Sequence, residues 1–273
     1  MKLKKCMMLM LAVAFSAGIL AGCGSTPQQK EQPKDSPKTP LRVATNATFV
    51  PFEFKGEEDS DYKGYEVDMI RAVGKAMGRE IQFNNIPFSG IIPIIQAGDM
   101  DLAASGMTVT KARADKVLFA APFYESSLVI LTNKDSGIKS VADLQGKQVA
   151  VQMGTTAADY AQKQGLTIKQ FDHNAEALME LKIGGSVAVI ADKPVADYYV
   201  TTEAKDKSIV IPIPDSNKEY LAFAMGKKNT ELQKEVNAAI AKLKETGEFQ
   251  QIYKKWFNTD PGELPKTAEE IIK

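Results

Sequence analysis

The chain repeats one pattern of apolar and polar residues twice, and each copy predicts alternating strands and helices. In the first copy, an alternating strand at 41–45 precedes a helix that keeps Ile70, Val73 and Met77 on one side and stops at Gly78. The remaining elements of this copy are predicted at 81–84 (strand), 91–97 (short buried helix) and 102–104 (strand). This β-α-β-α-β order is typical of a parallel sheet covered by helices.

The second copy opens with a β-branched strand at 127–132. Three further strands follow, at 148–151, 169–171 and 187–190. Three helices are also predicted, one ending near 164 and the others at 174–183 and 194–201. Thr155 or Thr156 is the N-cap expected for the first of these helices, whose open N–H groups lie at a positive helix end. The pattern again predicts a β-α-β-α-β unit, so we expect two similar halves.

The C-terminal part returns to the first pattern. It predicts a strand at 220–224, a helix at 231–244 and a last amphipathic helix. The apolar side of the last helix is aromatic and consists of Phe249, Ile252, Tyr253 and Trp256. Such a stripe at helical spacing predicts core packing rather than a cofactor site.

The stretch after the third strand carries the most specific candidate chemistry. The strand breaks at Ser105 and Gly106, where the backbone can come close to a bound molecule. Thr108 adds a hydroxyl, and Thr110 is placed to cap a helix whose first turn holds Arg113. Arginine matches both oxygens of a carboxylate with two parallel N–H donors, which lysine cannot do. The context favours a carboxylate site over an isolated surface arginine.

Composition and charge narrow the class of protein. The 273 residues suffice for two modest domains or one large one, and the apolar fraction of 44% permits a real core. The formal net charge of +0 gives no indication of a nucleic-acid partner. One histidine and two cysteines leave little for metal or thiol chemistry, so we expect no metal site and no cofactor.

The N-terminus predicts export. Three lysines precede an apolar run at 7–19, which is too short for a confident membrane span. The run ends in Leu-Ala-Gly-Cys, which resembles the lipobox of bacterial lipoproteins, with Cys23 as the lipid-modified residue. An ordinary secretory signal with a chance cysteine is the alternative. We therefore expect a signal peptide at 1–22, a lipid-anchored flexible linker at 23–40, and a location on the outer face of the cell membrane.

Several motifs in order resemble the extracellular solute-binding proteins of family 3, the polar amino-acid receptors of ABC importers. The residues that carry the resemblance are Phe-Val-Pro-Phe-Glu-Phe at 49–54, Gly-Tyr-Glu-Val-Asp at 64–68, Phe-Ser-Gly-Ile-Ile-Pro at 88–93, Ser-Gly-Met-Thr-Val-Thr-Lys-Ala-Arg at 105–113 and Ile-Tyr-Lys-Lys-Trp-Phe at 252–257. The resemblance covers 41 to about 260 and is strongest to glutamine-binding proteins.

The resemblance implies an α/β, two-lobed periplasmic-binding-protein-like fold of type II. Each lobe would be a mixed, mostly parallel sheet flanked by helices, and two hinge strands would join the lobes. Lobe 1 would comprise 41–124 and 221–273, and lobe 2 would comprise 125–220 with the hinge segments. Closure of this hinge over one amino acid would be the functional motion.

The resemblance also assigns the carboxylate end of the ligand. Arg113 would clamp the α-carboxylate, helped by Thr108 and by the backbone N–H of Thr156. Thr155, at the start of the same helix, belongs to the same expected site.

The other ligand groups would meet residues from both lobes. Asp192 would accept from the α-ammonium beside the carbonyl of Ser105 or Gly106, although a solvated helix cap is the commoner role for an isolated aspartate. Phe49 and Phe88 would sandwich the ligand side chain, where each could instead be plain core. A zwitterion gripped at both poles would favour the closed state through differential contacts.

Three departures from the glutamine receptors bear on the side-chain end of the site. Asn46 stands where that group has Asp, Gln152 where it has Lys, and Ala191 where it has His. We expect these positions to form a neutral, amide-lined pocket that suits glutamine first, because burying an unpaired ligand charge among amides would cost several kcal/mol. Gln152 before Gly-Thr-Thr is also similar to basic amino-acid receptors, so arginine and histidine stay open. His173 matches no ligand position and is expected at the surface.

We expect a monomeric binding protein, not an enzyme, that delivers its amino acid to the permease and ATPase of an ABC importer. The rival on the same fold is a dehydratase of the cyclohexadienyl type, which would need a positioned acid or base in the cleft. A second rival is a sensor that reports its ligand state to a membrane receptor.

Overall fold

The computed structural model describes residues 38–56, 61–214 and 216–272. The predicted signal peptide, Cys23 and the linker up to residue 37 lie outside the described residues. The strands are β1 (Leu41–Thr45), β2 (Thr48–Phe49), β3 (Glu53–Lys55), β4 (Tyr62–Lys63), β5 (Ile81–Asn85), β6 (Leu102–Ala103), β7 (Val117–Phe119), β8 (Tyr124–Ser126), β9 (Leu128–Asn133), β10 (Gln148–Gln152), β11 (Thr167–Phe171), β12 (Ala188–Asp192), β13 (Ser208–Pro212), β14 (Glu219–Leu221) and β15 (Ala224–Gly226). The α-helices are α1 (Tyr65–Met77), α2 (Ile91–Ala97), α3 (Lys111–Ala114), α4 (Thr156–Lys163), α5 (Asn174–Lys182), α6 (Lys193–Thr202), α7 (Thr230–Thr246) and α8 (Glu248–Phe257).

The first lobe is built on a five-stranded sheet in the order β5-β1-β6-β15-β7. β1 pairs in parallel with β5 and β6, because α1 and α2 carry the chain back between these strands. β15 runs antiparallel to β6 and β7. Asn46 follows the end of β1, and Ser105 lies just beyond the end of β6. These neighbouring carboxyl ends therefore bring the two residues to the same edge of the sheet.

The second lobe is built on a five-stranded sheet in the order β11-β10-β12-β9-β13. β10 pairs in parallel with β11 and β12, and β9 runs antiparallel to β12 and β13. Gln152 ends β10 and Asp192 ends β12, so the carboxyl ends of two adjacent strands again meet at one edge. The α/β, two-lobed fold with mixed sheets is confirmed.

Two antiparallel strands, β8 and β14, form a separate ladder where the chain passes between the lobes. Tyr124 pairs with Leu221 and Ser126 pairs with Glu219. The ladder lies at the two segments where hinge strands were expected. A rotation about such a pair moves one lobe relative to the other without breaking either sheet.

Each five-stranded sheet has an apolar cluster on both faces. In β1, Val43 belongs to the cluster under α1, α7 and α8, and its neighbour Ala44 belongs to the cluster with α2. In β10, Val151 and Ala150 divide in the same way between the α4 side and the α5 side. This alternation follows the two-residue period of a strand, and burial on both faces explains the continuous apolar runs of the sequence.

The apolar run at 220–224 was expected as one strand, but β14 ends at Leu221 and β15 begins at Ala224, because the chain leaves the hinge ladder here and enters the first sheet. The aromatic stripe of the last helix packs in the core as predicted, with the Tyr253 ring stacked on Tyr124 at a centroid distance of 5.5 Å. Within the described ranges, no helix combines the length and apolar character needed to cross a membrane.

Candidate functional site

One cavity lies between the two lobes, at the facing strand ends. All eleven residues proposed from the sequence line it, together with Glu53: Asn46, Phe49, Phe88, Ser105, Gly106, Thr108, Arg113, Gln152, Thr155, Thr156 and Asp192. The cavity volume is about 20 Å³, which is room for a water molecule or two. The lobes must therefore separate before a molecule as large as an amino acid can enter.

Arg113 is held in place by local sequence. Thr110 caps α3 by accepting from the backbone N–H of Arg113 at 3.2 Å, as the sequence predicted. The guanidinium donates to the carbonyl of Thr108 at 2.9 Å and, across the cleft, to the carbonyl of Gly154 at 3.0 Å. It also lies over the ring of Phe88, 5.4 Å from its centroid. Both hydrogen bonds fix the plane of the guanidinium within the cavity.

The charge of Arg113 is buried without an ion pair. Its guanidinium forms no salt bridge with any carboxylate in the described part of the chain, and burial lowers its pKa. The carboxylates of Glu219, Asp159 and Asp192 favour its charged form only from a longer distance. A buried cation in this condition is a strong attractor for an anion that enters the cavity.

Asp192 lies at the N-cap of α6, but its side chain does not cap the helix. One carboxylate oxygen instead accepts from the hydroxyl of Ser126 at 2.7 Å. Burial raises the pKa of Asp192 to about 6, and the Ser126 hydrogen bond and the charge of Arg113 act in the opposite direction. The carboxyl group is therefore available to the cavity and gains from a nearby cation.

Glu219, on hinge strand β14, is a further acid at this end of the cleft that the sequence did not suggest. One of its oxygens accepts from the hydroxyls of Thr108 at 3.2 Å and Thr156 at 3.1 Å. Burial and the neighbouring charge of Asp192 raise its pKa to about 7. Glu219 thus bridges both lobes through the hydroxyls of two predicted ligand-binding residues.

The N-terminus of α4 is the part of the second lobe that lies where the ligand carboxylate is expected. Thr155 is the N-cap, since its hydroxyl oxygen accepts from the N–H of Ala158 at 3.2 Å. The same hydroxyl donates to the carbonyl of Gln152 at 2.7 Å. Thr156 is then the first helical residue, with its backbone N–H among the open donors of the helix start.

Gly106 allows the backbone to approach an aromatic ring. Its φ is +51°, and a Cβ atom there would lie 2.6 Å from the ring of Phe49. Phe49 stacks on Phe52 with ring centroids 5.3 Å apart. Phe49 and Phe88 both line the cavity and both belong to apolar clusters, so each position combines core and cavity contacts.

Two buried carboxyl groups lie beneath Ser105 and Gly106. Glu53 accepts from the Ser105 hydroxyl at 3.2 Å, and Glu66 accepts from the Gly106 N–H at 2.6 Å. Burial and the adjacent charge of Glu66 raise the pKa of Glu53 well above its usual range, and burial raises the pKa of Glu66 to about 7. Oε2 of Glu53 and Oε1 of Glu66 have no hydrogen-bond donor among the described residues, and a hydrogen bond between the two carboxyl groups requires one of them to be protonated.

The side-chain end of the cleft is a network of amides that joins the lobes. Gln152 donates to Oδ1 of Asn46 at 3.0 Å, and Nδ2 of Asn46 lies 2.7 Å from Nδ1 of His173. His173 is partly exposed and contacts Asn46 across the cleft, a contact that the expectation of a surface histidine did not include. Ala191 packs in the apolar cluster with α5 and α6 instead of lining the cavity, because it faces away from its strand neighbour Asp192.

Sequence reasoning missed Glu53, Glu219 and His173. The alternation Phe-Glu-Phe at 52–54 does not reveal the burial of Glu53, because a polar residue between two apolar residues of a strand ordinarily faces solvent. Neither Glu219 nor His173 carries a local signal, since their partners come from distant segments. Among the described residues, no group of three His, Cys, Asp or Glu side chains could hold a metal ion.

The sequence matches the family model of the bacterial extracellular solute-binding proteins, family 3, over residues 41–259. Together with the two-lobed fold and its cleft, this match shows that the chain belongs to that family.

Three curated relatives align over almost their whole length. A probable histidine-binding protein of Neisseria gonorrhoeae is 31% identical over 261 residues, which cover 93% of this chain and 97% of the relative. The arginine-binding extracellular protein ArtP of Bacillus subtilis (strain 168) is 30% identical, covering 93% and 98%. The ABC transporter glutamine-binding protein GlnH of Bacillus subtilis (strain 168) is 29% identical, covering 96% and 100%.

Solved structures agree with the fold. An ancestral arginine-binding protein bound to glutamine has a TM-score of 0.75 and 37% identity, covering 81% of this chain and 98% of that one. The ancestral amino acid-binding protein AncCDT-1, a precursor of cyclohexadienyl dehydratase, has a TM-score of 0.73 and 36% identity, covering 80% and 95%.

Proposed function

We propose that this protein is an extracytoplasmic receptor of an ABC importer that captures one free amino acid by closing its two lobes. The importer's permease and ATPase would receive the ligand from the closed receptor, which acts as a monomer. The family membership supports a solute receptor, and the names of the relatives support an amino acid as its ligand.

One observation carries the proposal: a buried arginine, which has no ion pair among the described residues, shares a cavity with a partly buried aspartate from the other lobe. Arg113 matches an α-carboxylate, and Asp192 matches an α-ammonium. Binding of both poles stabilises the closed state, because only that state brings the two groups to the same ligand. The hinge ladder β8–β14 supplies the motion that admits the ligand.

A thermal-shift panel of the common amino acids tests this proposal, since a ligand far above its dissociation constant stabilises a protein by a few kcal/mol. We expect one amino acid or a small group to raise the melting temperature. The α-amide and the N-acetyl form of the same amino acid should have no effect, because each lacks one charged pole. Equal stabilisation by these blocked forms would contradict the assignment of Arg113 and Asp192.

Glutamine is our first choice of ligand, because Asn46 and Gln152 place neutral amides at the side-chain end. A basic amino acid, arginine or histidine, is the second candidate, and Glu53 is the observation that favours it. Glu53 lines the cavity, and its pKa is raised by burial and by the adjacent charge of Glu66. A cationic side chain beside it would favour the ionised form and pair with it.

Glu53→Gln separates the two ligands. The substitution keeps the shape and removes the ability to ionise. If the ligand is cationic, we expect its affinity to fall about tenfold or more, whereas glutamine affinity should change less than threefold. Glu231→Gln is the matched control, since it makes the same substitution at an exposed glutamate that pairs with Lys234, and it should leave both affinities unchanged.

We propose a binding protein rather than an enzyme. The raised pKa values of Asp192 and Glu219 would suit acid or base catalysis, and AncCDT-1 is named as a precursor of a dehydratase. The three curated relatives, however, are all named as binding proteins. Incubation with prephenate or arogenate should therefore yield no product, and product formation at enzymatic rates would replace the proposal.

The lipid anchor on Cys23 rests on the Leu-Ala-Gly-Cys order at 20–23. We expect the wild-type protein to fractionate with membranes and Cys23→Ser to be released in soluble form. Cys6→Ser, which alters the other cysteine of the chain, is the matched control and should stay with the membrane. Soluble wild-type protein with an unmodified Cys23 would contradict the anchor.

A further inference from the structure

The hydrogen-bond network at the side-chain end of the cleft closes on Asn46. Its Nδ2 lies 2.8 Å from the carbonyl oxygen of Ile86 and 2.7 Å from Nδ1 of His173. Its Oδ1 accepts from Nε2 of Gln152 at 3.0 Å and from the hydroxyl of Thr48 at 3.1 Å. An asparagine amide has two N–H donors and two acceptor positions, so the protein itself uses all four.

The orientation of the Asn46 amide is fixed because one of its partners can only accept a hydrogen bond and another can only donate one. Turning it round would place Oδ1 against the Ile86 carbonyl and Nδ2 against the N–H of Gln152, which replaces two hydrogen bonds with two repulsions. The Gln152 amide is fixed in turn, because its Nε2 also donates to the carbonyl of Asp172 at 3.0 Å. Nδ2 of Asn46 therefore faces His173.

His173 must then accept with Nδ1, which requires the neutral ring with its proton on Nε2. The residue is anchored on the second lobe, where its backbone N–H donates to Glu176 at 3.1 Å. Asn46 is anchored on the first lobe, where its backbone N–H donates to the Ser105 hydroxyl at 2.9 Å. The pair is therefore a direct bond across the cleft.

Because the protein uses every donor and acceptor of the Asn46 side chain, Asn46 has no free hydrogen-bonding group for a ligand. Asn46 and Gln152 line the cavity, and His173 is not one of its lining residues. Of the atoms of these two amides, only Oε1 of Gln152 accepts from no described residue. The amide end therefore presents a hydrogen-bond acceptor and no free donor.

We propose that His173 is a specificity-determining residue: by occupying Asn46 it selects ligand side chains that end in N–H donors, and it stabilises the closed state. This inference rests on the proposed function, because it names the ligand class of the same site. Glutamine and arginine present such donors, whereas the carboxylate of glutamate presents acceptors only. Glutamate would therefore meet an acceptor and be rejected.

Two variants of His173 test the proposal by calorimetry. His173→Leu removes the acceptor and frees one N–H of Asn46. We expect about tenfold weaker binding of the donor-ended amino acid that the wild type prefers, because closure then buries an unpaired N–H. The ratio of the affinities for this amino acid and for glutamate should fall by at least the same factor, since the freed N–H of Asn46 can donate to the side-chain carboxylate of glutamate. His173→Asn places an amide oxygen near the former Nδ1 position and should restore wild-type values.

Small-angle scattering of the ligand-free proteins keeps this test separate from the proposed function. We expect a larger radius of gyration for His173→Leu than for the wild type and for His173→Asn, whether or not any amino acid binds. Wild-type affinities and radius in His173→Leu would overturn the inference. Equal losses in His173→Leu and His173→Asn would also overturn it, because they would indicate packing rather than hydrogen bonding. Failure of the wild type to bind any amino acid would instead count against the proposed function.

Discussion

The two ends of the cleft satisfy their polar groups in opposite ways. At the charged end, Arg113 is buried with hydrogen bonds to two carbonyls but no ion pair among the described residues. At the amide end, Asn46 is buried with every donor and acceptor used by the protein. One end retains unsatisfied charge, whereas among the amide atoms of the other end only Oε1 of Gln152 has no described partner.

This difference indicates that the charged end determines affinity and the amide end determines selectivity. Unsatisfied charge gives a zwitterionic ligand a large differential affinity for the closed state. A complete hydrogen-bond network contributes to closure itself and restricts which side chains fit. Substitutions at the charged end should therefore abolish binding, whereas substitutions at the amide end should alter preference.

The largest effect is expected at Arg113. Arg113→Ala should weaken amino-acid binding at least 100-fold, because a carboxylate would then be buried without its bidentate partner. Arg113→Lys should recover little, since an ammonium cannot reproduce two parallel N–H donors. Calorimetry measures both. Arg42→Ala removes an arginine that pairs with Asp101 at the surface and should bind as the wild type does. Unchanged affinity in Arg113→Ala would show that the charged end of the cleft does not determine amino-acid binding.

A smaller effect is expected at Asp192. Asp192→Asn keeps the shape and the acceptor for Ser126 but removes the charge that meets the α-ammonium. We expect about 10- to 100-fold weaker binding. In the wild type, affinity should also fall as the pH drops below about 6, where the free receptor becomes protonated at Asp192. That part of the pH dependence should be absent from Asp192→Asn, and its persistence there would assign it to another group.

Gly106→Ala tests the close approach of the backbone to Phe49. The substitution should destabilise the protein by about 3 kcal/mol, since left-handed backbone strain adds to a clash with a buried ring. Gly98→Ala is matched in backbone, with φ +85° and no atom within 4 Å of the new Cβ, and should lose only about 1 kcal/mol. Chemical denaturation gives both values. Equal losses would show that the ring moves aside without resistance.

The smallest effect is a pH dependence of stability. The pKa values of Asp192, Glu66 and Glu219 are raised to about 6, 7 and 7, so the folded state binds more protons than the unfolded state between about pH 4 and 7. Their contribution to stability is full below pH 4 and is lost as the pH rises through these values.

Surface carboxylates such as Asp101, whose pKa is lowered by Arg42, act in the opposite direction, so a variant must isolate the effect. Between pH 4 and 7, the free energy of unfolding should fall in both proteins. The fall should be smaller by on the order of 2 kcal/mol in the double variant Asp192→Asn, Glu219→Gln than in the wild type. Chemical denaturation of the ligand-free proteins at a series of pH values measures the difference. A steeper loss in the double variant would contradict the assigned shifts.

The charged end of the site was predictable because its signals are local. Thr110 and Arg113 are three residues apart, and an N-cap with a guanidinium in the first turn follows from spacing alone. Family resemblance then placed Asp192 and the two phenylalanines, which line the same cavity. Their roles in binding stay a prediction until a ligand is measured.

The residues that escaped prediction depend on which distant segments meet. His173 and Asn46 are 127 positions apart, and Thr108 and Glu219 are 111 apart. Local periodicity contains no information about such pairs. The same limit explains why the run at 220–224 was interpreted as one strand, since an apolar alternation does not reveal that neighbouring residues belong to different sheets.

The position of β15 in the first sheet has a consequence for biogenesis. It lies between β6 and β7, yet it is made only after the whole second lobe has been synthesised. Until Ala224 and Met225 arrive, the edges of β6 and β7 lack the neighbour that pairs with both. During synthesis, the chain therefore exposes unpaired, aggregation-prone strand edges until its C-terminal part has been made.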